Sequence, residues 1–266
     1  MNSTNLTVTQ QKRPLRIAVL GGTGLIGAHI VAALSAAGHD AAALSRSTGI
    51  DLFTGDGLAE ALAGIDVAID ATQAPIPDDS AADFFRTTVG NLQTAAHRAG
   101  VGHLVLLSIV GVDQAPDLGY YRAKALQEKL FAAGPIPYSI VRATQFFEYL
   151  DEIFSWTADA NTVRLPATRL QPIAATDAAQ LIAEIASAPA LDGTVDIAGP
   201  EVLGLDRIAR MTLIATGDHR TVRTDPEAGP FALAPDGTLT AGPAARLAST
   251  RYSDWLTTRT RPTGDH

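Results

Sequence analysis

Three glycines spaced three apart, Gly21, Gly24 and Gly27, stand where the short apolar run Ile17-Ala18-Val19-Leu20 passes into a helical pattern. In the stretch Gly21-Gly22-Thr23-Gly24-Leu25-Ile26-Gly27 each glycine answers a separate physical need. Gly21 permits a tight strand-to-helix turn, Gly24 lets a pyrophosphate approach the backbone, and Gly27 lets the following helix pack closely on the sheet. The free N–H groups at the helix start, around Thr23, Leu25 and Ile26, then face the phosphates. Val31, Leu34 and the intervening alanines form an apolar helix face, Gly38 ends the helix, and Ala41 to Leu44 reads as the next strand. The spacing therefore predicts a βαβ opening, and with it an α/β Rossmann-type, doubly wound parallel sheet that binds a dinucleotide.

Composition narrows the function classes. At 266 residues with 46% apolar content the chain can bury a sizeable core. A formal charge of -8 leaves no electrostatic footprint for nucleic acid. The absence of cysteine removes disulfides, thiolate nucleophiles and thiol metal sites, and fits a cytoplasmic protein. His29, His39, His97, His103, His219 and His266 show no metal-ligand spacing, so no metal is expected. Residues 1–13 are polar and lack the apolar core of a signal peptide, which predicts a flexible tail. The longest apolar run, Leu104 to Val112, is too short to cross a bilayer, so neither a membrane nor a nucleic acid is an expected partner.

Strands and helices alternate along the chain. Ile50 to Phe53 reads as a third strand, followed by a helix through Leu58 and Leu62. Asp66 to Ala71 reads as a fourth strand, then come a loop with Pro75 and Pro77 and a helix from Ala81 to Ala99. A fifth strand is expected at Leu104 to Ser108, a helix at Tyr121 to Ala133 and a sixth strand at Tyr138 to Arg142. Beyond residue 145 the punctuation is less regular. Helices are expected at Asp151 to Ala158, Thr176 to Ser187 and Asp206 to Thr216, a late strand at Thr194 to Ile197, and Trp255 is expected to dock the C-terminal segment. Residues 14–266 are expected to form one dinucleotide-binding domain, whose smaller, irregular part, residues 145–266, holds the substrate.

An NAD-type site usually places an acid at the end of the second strand, where it accepts from the adenosine ribose hydroxyls. This chain offers Ser45, Arg46 and Ser47 there, a guanidinium with two hydroxyls that suits a 2′-phosphate and points to NADP(H). Asp51, at the end of the expected third strand, is placed to accept from the adenine amino group, and Ala71 and Thr72 are expected cofactor neighbours.

The second informative feature is Ser108 at a strand end, followed by Gly119-Tyr120-Tyr121-Arg122-Ala123-Lys124. Tyr120 and Lys124 are four apart, one helical turn on a shared face. An ammonium beside a phenol lowers the phenol's pKa from about 10. Lys124 is also placed to hold the nicotinamide ribose, and Ser108 to hydrogen-bond a substrate carbonyl. From Ile17 to about Phe147 the chain resembles the short-chain dehydrogenase/reductase superfamily, and more closely its NmrA-like NAD(P)H-binding branch. The glycine run, Asp51-Leu52, Ser108, Tyr120-x-x-x-Lys124 and Val141-Arg142-Ala143-Thr144-Gln145-Phe146-Phe147 carry the likeness. By that resemblance Ser108, Tyr120 and Lys124 are the catalytic serine, tyrosine and lysine, and its register selects Tyr120 over Tyr121. The chain departs from the superfamily in carrying Asp70-Ala71-Thr72-Gln73 where many members have an Asn-Ala-Gly turn.

The substrate wall is expected after the sixth strand, from Gln145, Phe146, Phe147, Phe154 and Trp156, an aromatic set suited to an apolar or aromatic ketone, enone or quinone. An NADPH-dependent reductase leads. A redox-sensing binding protein without turnover and a redox-neutral epimerase or isomerase with retained cofactor are the alternatives, because the fold hosts all three.

Overall fold

The computed structural model describes residues 13–75 and 81–259; most of the expected N-terminal tail, and Pro77 and His266, lie outside them. The central sheet contains β1 (Arg16–Leu20), β2 (Asp40–Leu44), β3 (Val67–Asp70), β4 (His103–Ile109), β5 (Tyr138–Ala143), β8 (Gly193–Ala198) and β11 (Arg246–Leu247). They lie in the order β11-β8-β5-β4-β3-β1-β2, and every pairing is parallel. The direction in which successive strands are added reverses at β1, with β2 on one side of it and β3 on the other. In a doubly wound sheet the crevice outside that reversal is where ligands bind.

Because successive residues of a strand face opposite ways, β1 feeds two cores. Ile17 and Val19 pack with Ile30 and Leu34 of α1 (Leu25–Ala36) and Ile182 of α6 (Ala175–Ala186). Ala18 and Leu20 pack on the other face with Leu58 of α2 (Leu58–Ala61), Val89 and Leu92 of α3 (Ala81–Ala99) and Phe131 of α4 (Gly119–Ala132). Buried on both faces, β1, β3 and β4 carry apolar runs at residues 17–20, 67–69 and 104–107.

The third strand expected at Ile50 to Phe53 does not form, and β2 is the sheet edge. The segment satisfies its backbone by other means. Asp51 Oδ1 accepts the N–H groups of Phe53 and Thr54, and the Asn91 amide on α3 donates to the carbonyls of Leu52 and Phe53. Gly49, Gly55 and Gly57, at φ 84°, 85° and 68°, close the loop in the left-handed region. Leu52 turns into the core, and the sequence pattern mistook that one apolar anchor for a strand.

After β5 the chain builds a third core. It passes through α5 (Leu150–Ser155), β6 (Thr162–Leu165) and β7 (Arg169–Leu170), and after α6 and β8 it continues through β9 (Leu203–Gly204), α7 (Leu205–Thr216) and β10 (Thr221–Thr224). β6 pairs in parallel with β10, and β7 antiparallel with β9. β8 contains the expected late strand, and it and β11 return to the central sheet. In α8 (Tyr252–Arg259), Tyr252 and Trp255 pack on Phe147, with ring centroids 5.0 and 5.5 Å away, and the Tyr252 hydroxyl shares a hydrogen bond with Thr212. Trp255 thus anchors the last helix as the sequence suggests.

Arg142 on β5 clamps α4 to the sheet. It gives two hydrogen bonds to Glu128, at 2.9 and 2.6 Å, and a third to Asp113 in the β4–α4 connection. Replacing Glu128 by alanine leaves a half-buried guanidinium with only its outer partner. Urea unfolding of Glu128→Ala is expected to show a loss of about 2–4 kcal/mol, and a loss under about 0.5 kcal/mol would show that the clamp does not hold the helix.

Candidate functional site

The turn after β1 is built by close backbone contact. Gly21 sits at φ 76°, and a Cβ on it would lie 2.9 Å from the carbonyl oxygen of Ala71, just past β3. A Cβ on Gly22 would lie 2.6 Å from the Val19 oxygen and 2.7 Å from Ala43 Cα, and one on Gly27 would collide with Gly21. Gly24 is the N-cap of α1, and its side-chain-free position leaves the first turn without a capping side chain or an acid. The first amides of a helix have no intrahelical partners, so this end presents N–H donors and a positive dipole to an anion.

A cavity of 1540 Å³ lies over this turn and along the C-terminal ends of the strands, ample for a dinucleotide with a second small molecule. Gly21, Thr23, Gly24, Leu25 and Ile26 border it, as do Ser45, Arg46, Ser47, Asp51, Ala71 and Thr72. Gly27 does not; its part is the close packing of α1 on the turn. Ser45, Arg46 and Ser47 form the start of a short 3₁₀ turn, with the Ser45 and Ser47 hydroxyls 2.7 Å apart. Among the described residues Arg46 takes part in no ion pair, which leaves its guanidinium available to the cavity. Asp51 borders the cavity from the glycine-rich loop rather than from a strand end, and its Oδ1 is engaged by its own turn.

Ser108, Tyr120, Tyr121 and Lys124 all border the middle of the same cavity. Ser108 is 2% exposed, and its Oγ has no protein partner. Burial pushes the Tyr120 phenol well above its ordinary value, with the nearby Tyr149 acting in the same direction and the Ala74 backbone opposing. Lys124 is not among the groups that move the phenol's pKa, and its ammonium is hydrogen-bonded within the protein. Lys124 Nζ donates to the Leu107 carbonyl at 2.8 Å and to Gln127 Oε1 at 2.5 Å, and it lies 5.2 Å from the centroid of the Phe85 ring. Gln127 Nε2 in turn donates to Asp70 Oδ2 at 3.1 Å, while Asp70 Oδ1 accepts the Thr72 amide and hydroxyl. A buried carboxylate and a buried ammonium are thus joined through one amide, whose orientation is dictated by the charges at its two ends. An ammonium has three donors; two are engaged, and one remains for the cavity.

Sequence reasoning missed Asp70 and Gln127. The signal was the strand-end Asp70, set where the superfamily places an asparagine turn, and Gln127, three residues after Lys124 on the same helix face.

Gln145, Phe146 and Trp156 border the far end of the cavity, as expected for a substrate wall. Phe147 and Phe154 do not. Both are buried in the third core, where Phe147 packs against Tyr252 and Trp255, so the aromatic run splits between cavity and core as the chain turns into α5. Their places are taken by Tyr149 and Phe231, with rings 6.2 and 6.0 Å from that of Trp156. Phe231 comes from a 3₁₀ turn 75 residues beyond Trp156, and no local pattern announces it.

Residues 21–189 match a family model described as NAD(P)H-binding. No curated protein sequence matches the chain. Among solved structures, the fold is similar to an NADPH-dependent quinone oxidoreductase from Escherichia coli complexed with NADPH, at 18% identity and a TM-score of 0.70, over 92% of this chain and 100% of that one. A nucleoside-diphosphate-sugar epimerase from Staphylococcus aureus gives 17% identity and a TM-score of 0.69, over 91% and 99% of the two chains. An NAD-dependent NDP-hexosamine 5,6-dehydratase involved in tunicamycin biosynthesis gives 15% and 0.70, over 92% and 96%.

Burial pulls the Lys124 pKa down from 10.5 to about 8, with Asp70 and Glu128 opposing the fall. Between those two values the folded chain binds fewer protons than the unfolded chain, so this group's contribution makes stability rise with pH. Below about pH 8 both states hold the proton and the contribution is constant. Urea unfolding from pH 7.5 to 10 is therefore expected to show wild type gaining about 1–3 kcal/mol relative to Lys124→Met. A difference that stays flat across this window would remove the buried ammonium.

Proposed function

The chain belongs to the NAD(P)H-binding family, among the NmrA-like, short-chain dehydrogenase/reductase-type proteins, and on that premise we propose an NADPH-dependent reductase of a small ketone, enone or quinone. The observation that carries the reading is one cavity bordered by the glycine turn and Arg46, by a buried, unpartnered Ser108 hydroxyl and the Tyr120 phenol, and by aromatic rings.

The chain's own groups fit an NADP(H) molecule. The glycine turn leaves no room for side chains, and the start of α1 offers its amides to the pyrophosphate. Arg46, with Ser45 and Ser47, suits the 2′-phosphate. Ala71 and Thr72 follow on the β3 side, and the remaining Lys124 donor is assigned to the nicotinamide ribose. When bound, the reduced nicotinamide supplies a hydride.

Ser108 donates to the substrate carbonyl oxygen and orients it. Tyr120 gives that oxygen a proton. A phenol whose pKa is raised is in its protonated form at neutral pH, the form a donor needs, while as a weaker acid it gives up that proton with less driving force. Lys124 acts on the ribose and balances Asp70 rather than activating the phenol.

The cavity's charge bears on the substrate. Among the described residues that border it the cations are Arg46 and Lys124, and both are assigned to the cofactor. A sugar nucleotide would bring a second diphosphate with no cation left to meet it, whereas Tyr149, Trp156 and Phe231 suit a flat, neutral molecule.

Calorimetric titration with NADPH and NADH tests the cofactor assignment: NADPH is expected to bind more tightly, and Arg46→Ala to abolish the preference. Equal binding of both by wild type would refute the 2′-phosphate role. For the chemistry, Tyr120→Phe is expected to lower turnover of ketones and quinones by about 10²-fold or more, with NADPH affinity within about twofold of wild type. Undiminished turnover in that variant would overturn the reductase mechanism, and tight NADPH binding by wild type without turnover of any such compound would favour a cofactor sensor.

A further inference from the structure

We propose that the substrate carries a neutral hydroxyl group on its aromatic frame, apart from the carbonyl to be reduced, and that Gln145 is the residue that reads it. This rests on the aromatic-ketone reading above and narrows it. Gln145 borders the cavity, is 8% exposed, and its Oε1 has no partner, while its Nε2 donates to the Tyr121 hydroxyl at 3.3 Å. An amide oxygen can only accept. Left unmade in a buried site, that hydrogen bond is a loss, so the oxygen asks for a donor that the protein does not supply.

The backbone that carries the side chain is held where it is. The Ile173 amide donates to the Gln145 carbonyl and the Phe147 amide to the Ile173 carbonyl, each at 2.9 Å, a short parallel bridge that pins the backbone on both sides. The neighbouring Thr144 hydroxyl is tied to the Gln171 carbonyl at 2.6 Å. The backbone of Gln145 is therefore fixed beside the cavity, and a donor brought by a ligand there would meet the need of its amide oxygen.

Two orphaned groups then divide the labour. Ser108 Oγ can donate to the carbonyl being reduced, and Gln145 Oε1 accepts from a second oxygen. The amide oxygen repels a carboxylate or phenolate, so the substituent is an un-ionised phenol or alcohol. Sites built to hydrogen-bond a hydroxyl reject analogues that lack it far more strongly than apolar sites reject a change of size.

The test uses the NADP⁺-loaded protein, in which a ketone binds without being turned over. Calorimetric affinities are compared for 1-tetralone, 6- and 7-hydroxy-1-tetralone and their methoxy counterparts. At least one hydroxy ketone is expected to bind about 10-fold or more tightly than both 1-tetralone and its methoxy ether. In Gln145→Met that preference is expected to vanish while NADPH affinity stays within about twofold of wild type. Equal or better binding of the methoxy ethers would show that the amide presents its nitrogen and overturn the proposal. So would a hydroxyl preference that survives in Gln145→Met, or a loss of NADPH affinity in that variant matching the loss for ketone, which would place the amide on the cofactor. Binding of none of the tetralones would overturn the aromatic-ketone reading and this one with it, whereas binding of all with equal affinity would overturn this one alone. The wild-type comparison decides even where the variant fails to fold.

Discussion

Two backbone turns meet without side chains between them, Gly21-Gly22 after β1 and Ala71-Thr72 after β3, and the rest of the site depends on that contact. A Cβ at Gly21 would press on the Ala71 carbonyl, and one at Gly22 on Val19 and Ala43. The turns lie at the point where strand order reverses, so the crevice between them opens upward from the sheet. Their closeness lets α1 start directly over the crevice with its amides free. The parallel pairing of β4 with β5 brings the ends of those strands, and with them Ser108 and Gln145, to the same cavity. A side chain at Gly21 would displace the turn after β3, and one at Gly22 would displace β2, because the nearest obstacles are backbone atoms rather than flexible side-chain ends.

Asp70, Gln127 and Lys124 hold the second turn from below. Burying a carboxylate and an ammonium in a core is costly when either lacks a partner, and here each is hydrogen-bonded within a connected chain. The chain joins the turn at Thr72 to helix α4, so the cofactor side and the phenol side of the cavity are mechanically one unit. Burial, not that connection, lowers the lysine's pKa, and the Asp70 charge at its far end limits the fall. The ammonium is held by Leu107 and Gln127, and burial is the largest cause of the rise at Tyr120.

The aromatic end of the cavity is an assembly of distant segments. Tyr149 and Trp156 come from the chain that leaves β5, and Phe231 from the turn that follows β10. They meet because β6 and β10 pair and because α7 and α8 close over the third core, with Tyr252 and Trp255 seated on Phe147. No helix among the described residues is long and apolar enough to cross a membrane, and the apolar surface of this end faces the cavity.

The glycine spacing, the alternation of apolar runs with helical periods and the Tyr120–Lys124 interval determined the fold class and the middle of the site, because each is a local pattern with a local physical cause. They placed β1, β2, β3, β4 and β5 in register with their helices, and brought Ser108, Tyr120 and Lys124 to one cavity. Local pattern failed where a few residues carry two meanings. Leu52 is an apolar anchor in a glycine-rich loop, which reads like a strand until Asn91 is seen to take the carbonyls that a strand would need. Phe146 and Phe147 are adjacent, yet one borders the cavity and the other the core, since the chain turns between them. Only the tertiary structure decided that Lys124 is linked to Asp70 through Gln127, that Phe231 completes the aromatic wall, and that Gln145 keeps an acceptor unpaired. Each of these is a contact between segments far apart in sequence, and its energy depends on burial and geometry that no single segment specifies.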